Sequence, residues 1–241
     1  MSNLLFFNGN IMTMSKEQNN VEAVIVKDNI IEFCGSYDEA IAKIDDGTEK
    51  IDLKGRTLLP GFNDSHMHLL SYGLTNYKVD LTKVSSIKEF KDNLNSFVDN
   101  EKNKVFGEWI MGHGWNHVNF DDDRLPTKED IDEVVSDRPV FLSRACYHIC
   151  VVNSKALELA GIDKNTEDPE VGKIDEDPDT GEPTGILREN ALKMVYDMIP
   201  MTNDVDSIKQ LIVEGVKDAN RTGLTSIQSD DFSHIQSYEK V

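Results

Sequence analysis

Basic charge is scarce in this chain of 241 residues: 25 Lys and Arg stand against 44 Asp and Glu, a formal net charge of −19. The acidic groups are spread out, in stretches such as Lys128–Val134, Asn165–Glu170 and Asp175–Glu182. A surface of that sign repels phosphate backbones and anionic headgroups, so neither nucleic acid nor a membrane is an expected partner. Long hydrophobic runs are missing too; no stretch approaches the roughly 18 apolar residues of a spanning helix. The opening residues carry no basic segment, and Asn8, Gly9 and Asn10 interrupt their apolar run, so no secretory signal is read there. Cysteine is rare, at three (Cys34, Cys146 and Cys150), an odd number without a staple pattern. That excludes a disulfide framework and makes a reducing, cytoplasmic setting the expected one. Internal repeats and low-complexity tracts are absent. Gly112 and Gly114 lack the third Gly or the Lys of a phosphate loop, and Asp121–Asp123 lacks the spacing of a calcium loop.

What is present is a globular composition, 39% apolar and 29% charged. Residues 1–58 read as a small, mostly β unit. A hairpin turn is expected at Asn8-Gly9 and a second at Lys27–Asn29, followed by a short helix from Tyr37. Residues 59–241 alternate strands with helices, the pattern of a parallel sheet. The strands are read at Thr57–His68, Glu108–Trp115, Arg138–Val152 and Gly223–Asp231. The helices are read after Ser85, after Asn153, around 188–199, over 204–223 and from Ser233 onward. Residues 163–186, polar and rich in turn formers, read as a surface insertion shaped as a hairpin. The expected class is α/β. Four strand-plus-helix units are about half of an eight-stranded barrel, and an open sheet covered on both faces fits the same pattern.

The strongest chemical signal is the run from Leu58 to His68, in which His66 and His68 lie two residues apart at the end of an apolar strand. Side chains two apart on a strand share a face, so two imidazoles stand side by side at the strand's C-terminal end. That is the end at which α/β sheets carry their active sites. Imidazole suits zinc, iron or nickel; magnesium and calcium prefer oxygen ligands. Asp64, two residues earlier, could hold an imidazole N–H from behind or cap a turn.

The motif Pro60-Gly61-Phe62-Asn63-Asp64-Ser65-His66-Met67-His68-Leu69, after Asp52-Leu53-Lys54-Gly55-Arg56-Thr57, resembles the opening of the amidohydrolase superfamily. Gly112–Trp115, Leu125–Thr127, Arg138–Val140, His148, Val152–Leu157, Gly161-Ile162 and Gly181–Leu187 resemble, in order, the family 3 branch that includes N-substituted formamide deformylases. The resemblance implies the N-terminal half of a (β/α)8 TIM-like barrel, joined to part of a small β-sandwich. It implies that His66 and His68 are metal ligands, for a divalent ion and zinc first. It also implies hydrolysis of amide- or formamide-type C–N bonds in a small-molecule substrate. The family's carboxylated lysine, two further histidines and aspartate find no match here, which places the main acid–base group beyond Val241. The chain is accordingly expected to be truncated and inactive in isolation. The alternative from another class is a non-catalytic half-barrel that binds or assembles, pairing as a homodimer across its open sheet edges.

Other residues carry weaker expectations. Cys146, His148 and Cys150 alternate along what reads as one strand, and His148 is a substrate-binding candidate because its family counterpart faces the pocket. Trp115 and His113 are candidates for the same pocket, set against Trp115 as core. Asp230 and Asp231, after the last strand, read as a helix N-cap or as help to a metal. His117 and His234 read as solvated.

Overall fold

The computed structural model describes residues 3–99, 105–200 and 204–231. His234 and the helix expected from Ser233 lie outside the described residues. The chain divides into two compact units, Met1–Ser65 with Asn220–Gln228, and His66–Ala219 with Ser229–Val241. The sequence pattern breaks near residue 58; the structural division falls seven residues later and adds a distant segment to the first unit.

In the first unit β1 (Leu4–Met12) pairs antiparallel with β2 (Asn20–Lys27), and β2 with β3 (Ile30–Gly35). On its other edge β1 pairs in parallel with β4 (Glu49–Asp52) and then β5 (Thr57–Leu58). The turn at Asp28-Asn29 has φ of 49° and 65°, the left-handed pair a tight hairpin needs. The hairpin expected at Asn8-Gly9 does not form. Those residues lie inside β1, at an irregularity where the strand changes partner from β4 to β5, and Asn10 N donates to Arg56 O at 3.0 Å. Two long-range parallel pairings outweigh the local turn preference of the dipeptide. The short helix α1 (Tyr37–Ile41) starts in a capping box between Ser36 and Glu39 and buries Ala40 with Leu5, Ala23 and Ile25.

The second unit is built on a mixed six-stranded sheet. In spatial order it runs from β11 (Gly172–Glu176) through β12 (Pro183–Glu189), β10 (Ile149–Val152), β9 (Val140–Arg144) and β8 (Ile110–Trp115) to β7 (Val79–Asp80). β7, β8 and β9 are parallel and the rest antiparallel. The segment read as one strand over Arg138–Val152 is therefore a hairpin, turning at Ala145–His148 with Tyr147 at φ 60°. Residues 163–186 do contain a hairpin, but β12 pairs with β10 and buries Ile186 and Leu187, so it extends the sheet. Helix α3 (Ile87–Val98), capped by Ser86, lays Ile87, Phe90 and Leu94 on a core with Ile110, Val140 and Leu142. Asn153 caps α5 (Ser154–Ala160) while fully buried. Its Oδ1 accepts from Val140 N and Ala156 N at 3.0 Å each, and its Nδ2 donates to Val135 O at 3.1 Å and Arg138 O at 2.9 Å. Every hydrogen-bonding position of that amide is used.

The decisive pairing lies elsewhere. β6 (Phe62–Met67) pairs with β13 (Leu224–Ser229) as a separate two-stranded sheet. Phe62 N donates to Gly223 O at 2.8 Å at one end, and Asp230 N to Met67 O at 3.0 Å at the other, so the strands run the same way. Four successive strands of one sheet are thus not what forms. The strand around Leu224 is the immediate parallel neighbour of the histidine strand, and β7–β12 belong to the intervening chain. This β–crossover–β pair is the partial TIM-barrel-like element of an α/β fold. Helix α2 (Leu69–Leu74) follows β6 and helix α7 (Val205–Arg221) precedes β13. They meet at glycines: a Cβ on Gly73 would lie 2.3 Å from Leu211 O. Tyr77 Oη donates to Glu214 at 2.7 Å and Asn76 Nδ2 to Asp218 at 2.5 Å beside that contact. No helix among the described residues is long and apolar enough to cross a membrane.

Candidate metal centre

His66 and His68 stand at the C-terminal end of β6 with ring centroids 5.5 Å apart and planes at 86°. The parallel partner brings a third donor. Asp230 follows β13 directly, and its backbone bond to Met67 O sets it against the end of β6. One ligand atom from each of His66, His68 and Asp230 lies within 4.8 Å of the others, and all three residues are exposed. A tetrahedral ion with bonds of about 2.1 Å holds its ligands roughly 3.4 Å apart, so modest side-chain rotation closes the set. Two imidazoles and a carboxylate are a donor set suited to zinc or another borderline divalent ion.

The neighbouring Asp231 has another task. Its Oδ2 accepts from Leu70 N at 3.1 Å and from Ser229 Oγ at 2.5 Å, while Ser229 Oγ accepts from Leu69 N at 3.1 Å. The N-cap position of α2 is His68, whose side chain makes no capping bond. The end of β13 thus supplies the missing acceptors for the first turn of α2. The other oxygen, Oδ1, faces His68 Nδ1 at 4.0 Å, and the Asp231 side chain is 9% exposed. Asp231 thus serves α2, far earlier in the chain, while the helix that it was read as capping lies outside the described residues; Asp230 stands beside the histidines. Asp64 lies half-buried on β6, two residues before His66.

His68 also lines a cleft of about 610 Å³ within the second unit, with Ser71, Thr75, Lys78, Ser143 and Tyr147 around it and apolar walls from Met111 and Phe141. The pocket candidates fall differently. Trp115 is fully buried in the core, and its indole donates to Leu142 O at 2.8 Å. The cause is an irregularity in the β8–β9 register between His113 and Trp115, where Gly114 takes φ 96°. The extra residue turns Trp115 to the face that Ile110 shares with the core, a bulge that simple alternation misses. His113 is half-buried, with a buried Nδ1 that has no hydrogen-bond partner; burial, and next the Lys78 cation, push its pKa down. His148 sits in the β9–β10 turn, so it shares no strand face with Cys146 and Cys150. Its exposed ring pairs with Glu189 at 2.9 Å, which raises its pKa. His117, read as solvated, is half-buried beside Trp115 with its ring centroid 6.3 Å away. Asp230 was within reach of sequence reasoning, since it ends a strand on the side where active sites lie; Lys78 carried no signal in its sequence context.

Comparison with known proteins places this geometry in a family. Residues 49–240 match the model described as "Amidohydrolase family". A "Putative amidohydrolase YtcJ" of Bacillus subtilis is 36% identical over 98% of this chain and 45% of its own length. An "N-substituted formamide deformylase" of Arthrobacter pascens is 29% identical over 94% of this chain and 42% of its own. Among solved structures, an uncharacterized metal-dependent hydrolase of Pyrococcus furiosus superposes with a TM-score of 0.64, at 28% identity over 99% of this chain and 47% of that one. The chain spans a little under half the length of these relatives.

Proposed function

Because the chain belongs to the amidohydrolase family, we propose that it serves a metal-dependent hydrolase of non-peptide C–N bonds, of amide or formamide type, in a small-molecule substrate. The observation that carries this reading is the convergence of His66, His68 and Asp230 at the ends of two parallel strands. Their lone pairs would hold the ion, zinc in the first instance, with Asp64 as the candidate to hold an imidazole N–H and His148 and His113 as candidate substrate contacts. When bound, such an ion supplies Lewis acidity to a carbonyl and acidifies water. The protein's own part is to fix the donors. The Asp230–Met67 backbone bond locks the strand ends in register, and Asp231 orients His68 while capping α2. The cleft beside His68 receives the body of the substrate.

The three donors are exposed, so water competes for the ion and for any polarised carbonyl. The 241 residues tested alone are therefore expected to bind zinc weakly and to turn over amides slowly if at all. A cytoplasmic location, consistent with the three free cysteines, belongs to the same proposal, as does a homodimer, which light scattering would reveal.

The test is elemental analysis of the purified protein after zinc loading, beside His66→Ala/His68→Ala and Asp230→Ala. Zinc below one equivalent in the parent, lower still in Asp230→Ala and lost in the double variant is the expected result. Equal zinc in all three forms would remove the basis of the reading.

A further inference from the structure

The cleft beside His68 has an unusual electrostatic feature for so acidic a chain. Lys78 lines it, half-buried, and among the described residues its ammonium makes no hydrogen bond or ion pair with a carboxylate. Its one close partner is the ring of Phe106, 5.9 Å from the nitrogen to the centroid. The other charged residues of the lining, Lys193 and Asp197, stand four apart at one end of α6 (Asn190–Tyr196) and offset each other in charge. Lys78 is thus a surplus cation in a cleft, in a chain whose net charge is −19.

A half-buried ammonium without a counter-ion has lost water and gained nothing equivalent, and burial pushes its pKa down accordingly. An aromatic face compensates only in part. His113, the nearest titratable group on β8, cannot serve as counter-ion, because it is neutral or positive. The walls near Lys78 are otherwise apolar, from Met111, Phe141, Ile149 and Tyr196, with the hydroxyls of Ser71, Thr75 and Ser143 between them. A ligand matched to this lining has an apolar body and one anionic end.

We propose that this cleft binds a small amphipathic carboxylate, with the carboxylate on Lys78 and the apolar body along Met111 and Phe141. Taken with the hydrolase reading, on which this step rests, it makes the substrate class an amide that also carries a carboxylate. The cleft itself needs no metal to discriminate.

The experiment uses the EDTA-treated protein, so that no ion competes for the acid, and titrates 4-phenylbutyrate and its isosteric amide, 4-phenylbutyramide, by calorimetry. A charge-assisted contact in a partly desolvated site predicts that the acid binds about tenfold tighter than the amide. Lys78→Met should bring the acid to the level of the amide, with circular dichroism reporting that the variant is folded. Lys78→Arg should keep the preference for the acid. Should Lys78→Met fail to fold, the acid-to-amide ratio in the parent and in Lys78→Arg decides. Equal affinities for the two probes, a preference that survives Lys78→Met, or no saturable binding of either probe would overturn the inference. His66→Ala/His68→Ala separates the two readings. Zinc independent of these histidines together with an intact acid preference removes the hydrolase reading and keeps the cleft assignment. Normal zinc behaviour with no acid preference removes the cleft assignment alone.

Discussion

Asp231 offers a substitution in which orientation of a ligand and stability of the fold come apart. Both of its capping bonds, from Leu70 N and Ser229 Oγ, fall on Oδ2, whereas Oδ1 alone faces His68 Nδ1 at 4.0 Å. Asp231→Asn with its carbonyl oxygen in the place of Oδ2 keeps both bonds, because one oxygen has two lone pairs. Its NH2 group then replaces the carboxylate oxygen that faces the imidazole. A carboxylate on that side favours the tautomer with a proton on Nδ1 and leaves Nε2 free for an ion; an NH2 group favours the opposite one. Loss of such an outer partner weakens metal binding about 10- to 100-fold, and the 4.0 Å separation argues for the lower end, about tenfold or ~1.4 kcal/mol. Stability should hardly move in Asp231→Asn, within ~0.5 kcal/mol. Asp231→Ala loses the caps as well and should cost a further ~1 kcal/mol in urea unfolding. Zinc competition with a chromophoric chelator reads the first quantity and the urea midpoint the second. Parent-like zinc affinity in Asp231→Asn would refute the orienting role. A urea midpoint as low as that of the Ala variant would refute the assignment of the caps to a neutral-compatible oxygen.

Other outcomes follow from the same structure. Asn153→Ala strips four bonds from a fully buried amide, one of them the cap of α5; a loss of about 3 kcal/mol in urea unfolding is expected, and under ~1 kcal/mol would contradict it. Asp130 is buried against Arg124, with guanidinium contacts of 2.6 and 2.7 Å and a bond of 2.8 Å from Thr127 N. Burial alone would raise its pKa, but those contacts outweigh it and hold the carboxyl below the usual range. A folded pKa below the unfolded one gives stability that is present above the unfolded value and lost as pH falls through the folded value, so Asp130→Asn should flatten the acid limb of a stability–pH curve measured between pH 2 and 6. An acid limb unchanged in the variant would assign the loss to other carboxylates. Iodoacetamide at neutral pH should label Cys146 well before Cys150. Burial pushes the Cys150 thiol far up, whereas at Cys146 a smaller burial effect is outweighed by the His148 N–H and Arg144; mass spectrometry showing equal rates would contradict that ranking.

The legible parts of this protein are those in which local chemistry and global structure ask for the same residue. Asp28-Asn29 can adopt left-handed φ at little cost, and the turn is where the sequence puts it. Ser86 and Asn153 cap the helices they precede. His66 and His68 share a strand face because the period of a strand is two, whatever the strand pairs with. Even the family was readable, because its motifs are contiguous and in order.

Other features depend on partners far away in the chain, and no local preference encodes them. Asn8-Gly9 has every mark of a turn and sits in a strand, held by two parallel neighbours around residues 50 and 57. Trp115 faces the core because Gly114 adds one residue to β8, a change of face that a strict alternation cannot contain. Asp230 reaches the histidines only because β13 pairs with β6 across more than 150 residues of intervening chain. By itself, then, the sequence determined the two imidazoles, the α/β class and the acidic, metal-suited chemistry, since these follow from residue type and short-range period. The tertiary structure decided which carboxylate lies beside the two histidines, which one faces His68 Nδ1, and which cation of the cleft is left without a counter-ion among the described residues, since each depends on pairings whose closure entropy and burial are settled by the whole chain at once.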